Sequence, residues 1–341
     1  EPRPSFLMLI AVTAVGPFAL NVFVPSMPAV QREFGTDYGS VQLTLSVFLV
    51  GLAVAQLVFG PLSDRFGRRP TLLAGLLAFL AGTAACALAT GVLGLSIGRF
   101  VQGVGGCAGM TLARTMIRDL YERERAASVM AYVIMAMVVA PMVAPTVGGL
   151  VETEFGWRGS FLLTLGLAAL VTLGTWLAVP ETHRGERLAT TALDLVRVSL
   201  DLARNRRFLS YAFSNAFTVA NFHSFLGGAP YVMVALMGYT STEYGLYFMS
   251  SAVAFMLGNL GAGKLSERLG IDRMITLGTS IGLAGGIAMA VVHFGFGLDP
   301  VTMFACLAIT SIGSGLSMPS GMSGAISVDP RRFGAASGLA G

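Results

Sequence analysis

The sequence is poor in charge. Only 12% of its 341 residues are Asp, Glu, Lys or Arg, while 54% are hydrophobic. An ordinary soluble domain is excluded, because so few charges would leave too much apolar surface facing water. Lysine is nearly absent. Lys264 stands beside 21 arginines, most of them in short gaps between apolar blocks, so no continuous basic face exists for a nucleic acid. Cysteine is scarce as well. Cys86, Cys107 and Cys306 lie singly in apolar segments without a CxxC, and they read as buried small hydrophobes rather than disulfides or a metal site. No nucleophile–base pair or phosphate-binding loop stands out, and the glycine-rich stretch around 103–106 has no strand before it. Catalytic residues, metals and cofactors are therefore not expected. The lack of sizeable polar domains also argues against a receptor.

What is present is a series of apolar blocks, each long enough, at roughly 20 residues, to cross a bilayer. Helices satisfy their own backbone bonds in lipid, so the fold class is all-α membrane protein. Ten spans are expected near 6–25, 40–60, 71–90, 92–114, 127–150, 159–179, 208–236, 243–263, 274–294 and 300–322. An eleventh begins at Gly334 and is cut off at Gly341. The first block reads as a full span rather than a cleavable signal peptide. The chain starts at Glu1 without a methionine, so incomplete ends are expected.

Arginine placement sets the expected orientation. One side receives Arg3, Arg65, Arg68, Arg69, Arg118, Arg123, Arg125, six arginines between 184 and 207, Lys264, Arg268, Arg273, Arg331 and Arg332. The other receives only Arg32 and Arg158, so the amino terminus is expected to be cytoplasmic. The longest gap, 180–207, divides the chain into a first bundle at 1–179, a cytoplasmic linker and a second bundle at 208–341. Repeats agree with that division. Leu62-Ser63-Asp64-Arg65-Phe66-Gly67 returns as Leu265-Ser266-Glu267-Arg268-Leu269-Gly270, and Ala126-Ala127-Ser128 is echoed by Ala335-Ala336-Ser337. Two six-helix bundles in parallel duplication are a transporter pattern, with the second bundle truncated here.

Three strings carry more than composition. The first is Gly60-Pro61-Leu62-Ser63-Asp64-Arg65-Phe66-Gly67-Arg68-Arg69-Pro70. Pro61 and Gly67 are expected to make a tight turn, and Asp64 to accept hydrogen bonds from a neighbouring helix start. Arg68 and Arg69 would hold the loop in the cytoplasm; for them alone, a charged turn reads equally well. The second, in span four, places Arg99, Gln102, Gly103 and Gly106 at i, i+3, i+4 and i+7, on one helix face. A charge at that depth costs roughly 2.5–3.5 kcal/mol, so Arg99 needs a cavity or a partner unless it snorkels outward. The third closes span five with Ala140-Pro141-Met142-Val143-Ala144-Pro145-Thr146-Val147-Gly148-Gly149. Pro145 should bend that helix, and small residues permit close packing; on its own this is also a common membrane-helix kink.

The first string resembles the signature loop of the major facilitator superfamily at every defined position, and its degenerate copy after span eight fits the same family. The resemblance implies two six-helix bundles, with Gly60, Asp64, Arg65, Gly67, Arg68 and Arg69 as a conformational latch. The span-four string resembles the family's second motif, whose arginine is linked to proton transfer, which implies a proton network of Arg99 and Gln102. The span-five string resembles the antiporter motif of drug-exporting members, in Pro141, Pro145, Gly148 and Gly149, with alanine replacing glycine at 140 and 144. Arg114-x-x-x-Arg118-Asp119-Leu120-Tyr121, Phe155-Gly156-Trp157-Arg158, Pro180-Glu181-Thr182 and Val41-Gln42-Leu43-Thr44-Leu45-Ser46 look like the Bcr/CflA drug-resistance subfamily. Members export phenicols, bicyclomycin and related compounds by proton antiport, which implies small-molecule drugs, protons and the bilayer as partners here, in a monomer of the bacterial inner membrane.

One departure matters. The subfamily usually carries an aspartate late in span one, where this chain has Asn21-Val22-Phe23-Val24-Pro25. None of the 18 acids lies mid-span, so no buried carboxylate carrier is visible. His223, the one histidine near the middle of a span, titrates in a range that suits proton handling and joins the network as a candidate, although a hydrogen-bonded structural histidine is the commoner reading of such a position. Candidates for the substrate cavity are Asn21, Gln42, Arg114, Asn221, Phe222 and Phe225, although intramembrane polar groups also serve as helix glue. Export of a drug is the leading expectation. Transport of a physiological solute such as a sugar is the alternative, and a receptor or enzyme a remote one.

Overall fold

The computed structural model describes residues 6–120, 123–182, 201, 204–297 and 299–328. The expected eleventh span from Gly334, the echo at 335–337, Arg3, Arg331, Arg332 and most of the 180–207 connection lie outside the described residues. Within them the chain is helical. α1 (Phe6–Val22) passes through a 3₁₀ turn (Val24–Ser26) into α2 (Met27–Phe34). Then come α3 (Tyr38–Phe66), α4 (Arg68–Ala87), α5 (Val92–Leu120), α6 (Arg123–Phe155) and α7 (Trp157–Ala178). α8 (Arg206–Pro230) continues as a π-helical turn (Tyr231–Leu236), followed by α9 (Ser241–Leu269), α10 (Ile271–Phe296) and α11 (Pro300–Ser327).

With α1 and α2 read as one segment, these helices stand where the ten spans are expected. Eight are long and apolar enough to cross a membrane by length and composition alone. α5 and α6 are not among the eight; α5 carries Arg99, Gln102 and Arg114 along its length.

Local chemistry explains the starts and stops. Asp37 caps α3, accepting from Ser40 N–H at 2.9 Å and Ser40 Oγ at 2.6 Å, and these bonds hold its carboxyl below the ordinary aspartate range. Asp299 caps α11 in the same way, accepting from the amides of Val301 and Thr302, with Pro300 at the first helical position. Single glycines at positive φ separate α3 from α4 (Gly67, +101°), α6 from α7 (Gly156, +71°) and α9 from α10 (Gly270, +78°). Gly67 and Gly270 are equivalent positions of the repeated string.

The expected turn at Pro61 is corrected. α3 runs through Pro61 to Phe66, so Gly60, Asp64 and Arg65 lie on its last turns and Gly67 alone is non-helical. Proline removes one backbone donor, but the ladder resumes at once, with Gly67 N–H donating to Ser63 O at 3.0 Å.

The chain forms two compact units, residues 1–190 with 227–245, and residues 191–226 with 246–341. In the first, α5 is the hub, and glycine makes it so. A Cβ on Gly103 would fall on the Phe48 carbonyl of α3, one on Gly105 on the α4 backbone at Gly75 and Phe79, and one on Gly109 on the Val12 carbonyl of α1. Three helices thus touch α5 backbone to backbone, a contact in which dispersion replaces the hydrophobic drive that lipid withholds. Below it, Leu9, Leu72, Leu112, Met116 and Ile117 are fully buried together. In the second unit, Gly313 meets the Gly278 carbonyl of α10 and Gly315 the Phe255 carbonyl of α9, so α11 plays the corresponding part.

Replacing Gly103 with valine is expected to cost at least about 1–3 kcal/mol through overpacking. Gly166→Val, at a position with no atom within 4 Å of a new Cβ, is expected to be silent. Thermal unfolding and the monodisperse fraction after detergent extraction distinguish the two.

Candidate functional site

Within the string at 60–70, the contacts centre on Arg68. This first residue of α4 is only 6% exposed, and its guanidinium pairs with Asp64 on α3 and with Asp119 at the end of α5, the latter at 3.1 Å. Ser63 Oγ accepts from the same guanidinium. Arg68 is therefore a buried bridge between three helices and not a solvated anchor, a difference that its adjacency to Asp64 and Asp119 explains. Arg65 lies outside that bridge, its guanidinium 5.2 Å from the Phe66 ring. Asp64 pairs with Arg68. The start of α4 is met by Glu181, which accepts from the Arg68 amide at 2.9 Å and the Arg69 amide at 3.2 Å. Gly67 is hemmed by the same carboxylate, whose oxygen would meet a Cβ there.

Arg99 forms a second centre. It is fully buried, and no carboxylate pairs with it among the described residues. Its Nη1 donates to Gln102 Oε1 at 2.7 Å and to the Ala19 carbonyl at 3.2 Å. Gln102 passes the chain on, its Nε2 donating to Thr83 Oγ1 at 2.9 Å. The rest of the cation is met by aromatic faces, with the ring centroids of Phe48 at 4.5 Å and Phe23 at 5.1 Å. Snorkelling is excluded by this burial. Asn21 lies on the same stretch of α1, buried, with its Nδ2 donating to the Pro17 carbonyl at 2.8 Å.

α6 runs unbroken through Pro141 and Pro145. Beyond them, Gly148 lies against the Val22 carbonyl and Gly149 against the Ser241 carbonyl, where any Cβ would collide. Thr146 Oγ1 donates to the Gly245 carbonyl at 2.8 Å, and Ser241 Oγ to the Pro25 carbonyl at 3.1 Å. Nearby, Tyr38 donates its hydroxyl to the Gly227 carbonyl at 2.8 Å and its ring lies 4.6 Å from that of Tyr231. A Cβ on Gly227 would meet the side chain of Gln42. Arg114, half-buried on α5, donates to the Met137 sulfur at 3.2 Å.

In the second unit, α8 presents an aromatic group. Phe222 lies 6.2 Å from Phe248 and edge-on to His223 at 5.5 Å, and Phe225 meets Phe304 edge-on at 5.8 Å. Tyr247 stacks on Phe304 at 5.6 Å. His223 Nδ1 is bonded to the Val219 carbonyl at 2.9 Å, which requires the proton on Nδ1 and leaves Nε2 as the accepting atom. Asn221, next to them, is exposed. The cavity candidates thus fall on both units: Asn21, Gln42 and Arg114 on the first, Asn221, Phe222 and Phe225 on the second.

Several partners escaped the sequence. Asp119 and Glu181 were visible only as members of resemblance strings, and Phe23, Phe48 and Thr83 only as ordinary span residues. Depth along a helix does not reveal which neighbour a side chain meets.

Long apolar helices packed through glycine contacts and a repeated one-residue turn fit a membrane transporter. The chain belongs to the Major Facilitator Superfamily, whose family model matches residues 9–341. It is 30% identical to multidrug resistance protein D of Escherichia coli (strain K12) over 336 residues, covering 98% of this chain and 84% of that protein. It is also 30% identical to a chloramphenicol resistance protein of Pseudomonas aeruginosa, over 84% of this chain and 68% of that protein. Among solved structures, a D-xylose–proton symporter superposes with a TM-score of 0.78 at 14% identity, covering 98% of this chain and 85% of that one, a likeness of fold alone. The expected family and all-α fold are thus shown, and the chain is a multi-pass transporter rather than an enzyme.

Arg99→Lys keeps the charge and loses the planar face that Phe23 and Phe48 cover. It is expected to lower stability by about 1–2 kcal/mol, read as an earlier thermal unfolding midpoint, with Phe48→Leu shifting it in the same direction.

Proposed function

We propose that the chain exports small, largely apolar drugs, of the phenicol or bicyclomycin kind, across the bacterial inner membrane by proton antiport and alternating access. Support comes first from its relatives, two of which are named for drug resistance and match it over most of its length. The observation that carries the chemistry is the pair of aromatic sets in the second unit, Phe222 with Phe248 and His223, and Phe225 with Phe304 and Tyr247. Flat aromatic faces suit apolar rings and offer few fixed hydrogen bonds, unlike a site built for a sugar.

The amino terminus is cytoplasmic in this scheme, from the arginine distribution. Asp64, Arg68 and their neighbours then latch the cytoplasmic side in one state and release it in the other. Arg99 and Gln102 poise the site electrostatically, and α6 with Pro141, Pro145, Gly148 and Gly149 supplies the close packing that opening must break. His223 takes the proton on Nε2, in place of the carboxylate that Asn21 does not provide. Asn21, Gln42, Arg114 and Asn221 serve the cavity as polar groups.

Inside-out vesicles carrying the full-length protein, given an acid interior, provide the test. Chloramphenicol uptake is expected, and collapse of the pH gradient should abolish it. His223→Gln should remove the gradient dependence, and Asp64→Ala should cut uptake without abolishing insertion. Uptake that persists after collapse of the gradient would rule out antiport, and no flux of any drug in a panel would rule out the substrate class. Normal uptake by Asp64→Ala would refute the latch.

A further inference from the structure

Both ends of α4 are held by residues on α7 or just beyond it, and neither hold belongs to the scheme above. At the Gly67 end, the Glu181 carboxylate straddles the amides of Arg68 and Arg69. These are two of the donors that every helix start leaves without an intrahelical acceptor, and a negative charge there also meets the positive end of the helix dipole. The tie is reciprocal, since Arg69 Nη2 donates to the Trp176 carbonyl in the last turn of α7 at 2.6 Å. At the Ala87 end, Arg158 on the first turn of α7 donates to the Ala87 carbonyl at 3.2 Å and the Ala89 carbonyl at 2.9 Å. A cation thus closes the negative end of the same dipole. Glu33 fixes that guanidinium and also accepts from Trp157 Nε1 at 2.6 Å. The two ends lie about 30 Å apart, the length of a 20-residue helix.

Arg68 is the residue whose amide Glu181 takes and whose guanidinium bridges Asp64 and Asp119. We infer that Glu181 is a positioning residue of the latch: it fixes the start of α4 on the end of α7, and so aims Arg68 between its two carboxylates. Gly67 fits this role, because only a residue without a side chain admits the Glu181 carboxylate and takes φ +101°. Arg158 and Glu33 keep the far end of α4 on α7, so the tension of the latch is borne by a helix pair rather than by one helix. The inference rests on the latch reading and extends it to the Pro180-Glu181-Thr182 string.

The test uses the full-length protein in nanodiscs for hydrogen exchange and in vesicles for chloramphenicol uptake. Glu181→Gln keeps one acceptor and loses the charge. It is expected to speed exchange at residues 67–72 by about fivefold, the scale of a lost helix cap, with α9–α11 unchanged. Uptake per folded molecule should fall as it does in Asp119→Asn, and the double variant should be no worse than the poorer single one. Glu181→Asp, which keeps the charge, should restore part of both signals and stands in if Glu181→Gln does not insert. Unchanged exchange at 67–72, or a uniform rise throughout the chain, would overturn the cap. Normal uptake by Glu181→Gln with impaired Asp64→Ala would overturn the positioning role while leaving the latch. Normal uptake by Asp64→Ala would remove the latch itself, whatever Glu181 does.

Discussion

Everything in the first unit depends on how closely α5 can approach its neighbours. In lipid, apolar side chains gain little by leaving their surroundings, so helix association rests on contact area and on polar links between helices. Gly103, Gly105 and Gly109 remove the side chains that would keep α3, α4 and α1 at a distance. That proximity brings Arg99 within reach of the Ala19 carbonyl, the Phe23 and Phe48 rings, and, through Gln102, the Thr83 hydroxyl. A larger residue at any of the three glycines would move these partners together. Packing and buried electrostatics are therefore one design in this unit.

The treatment of charge follows from that packing. A buried guanidinium ordinarily requires a carboxylate, and an orphan is costly. Here two acceptor oxygens and two aromatic faces take that place, a solution that needs no titratable counterion. Arg68 is handled in the opposite way. Two carboxylates from different helices hold it, and such a bridge can be exchanged for water when the helices part.

The sequence made much of this legible, and the reasons are physical. Apolar runs report spans because the bilayer sets a length, and the strings at 60–70 and 265–270 report duplication because a one-residue turn admits only glycine. The end of α3 was misjudged because Pro61 reads as a breaker, whereas it costs a helix only one donor and the next turn closes normally. The cap that Glu181 places on α4 is not legible, since the two are far apart in sequence and only folding brings them together. Pairings such as Arg99 with Phe48 left no trace in the sequence: an aromatic over a cation looks like any core phenylalanine until the helices are assembled. Of the two aromatic sets of the second unit only the α8 members were legible, because Phe248 and Phe304 come from other helices.

The single glycines at 67, 156 and 270 carry a mechanical consequence. A connection of one residue stores no slack, so two helices joined by it cannot slide past each other along their axes. α3 with α4, α6 with α7, and α9 with α10 are each restricted to turning about their common joint. An independent piston-like stroke of one of these helices against its neighbour is therefore opposed by the covalent chain itself, and the joint leaves turning as the freer movement.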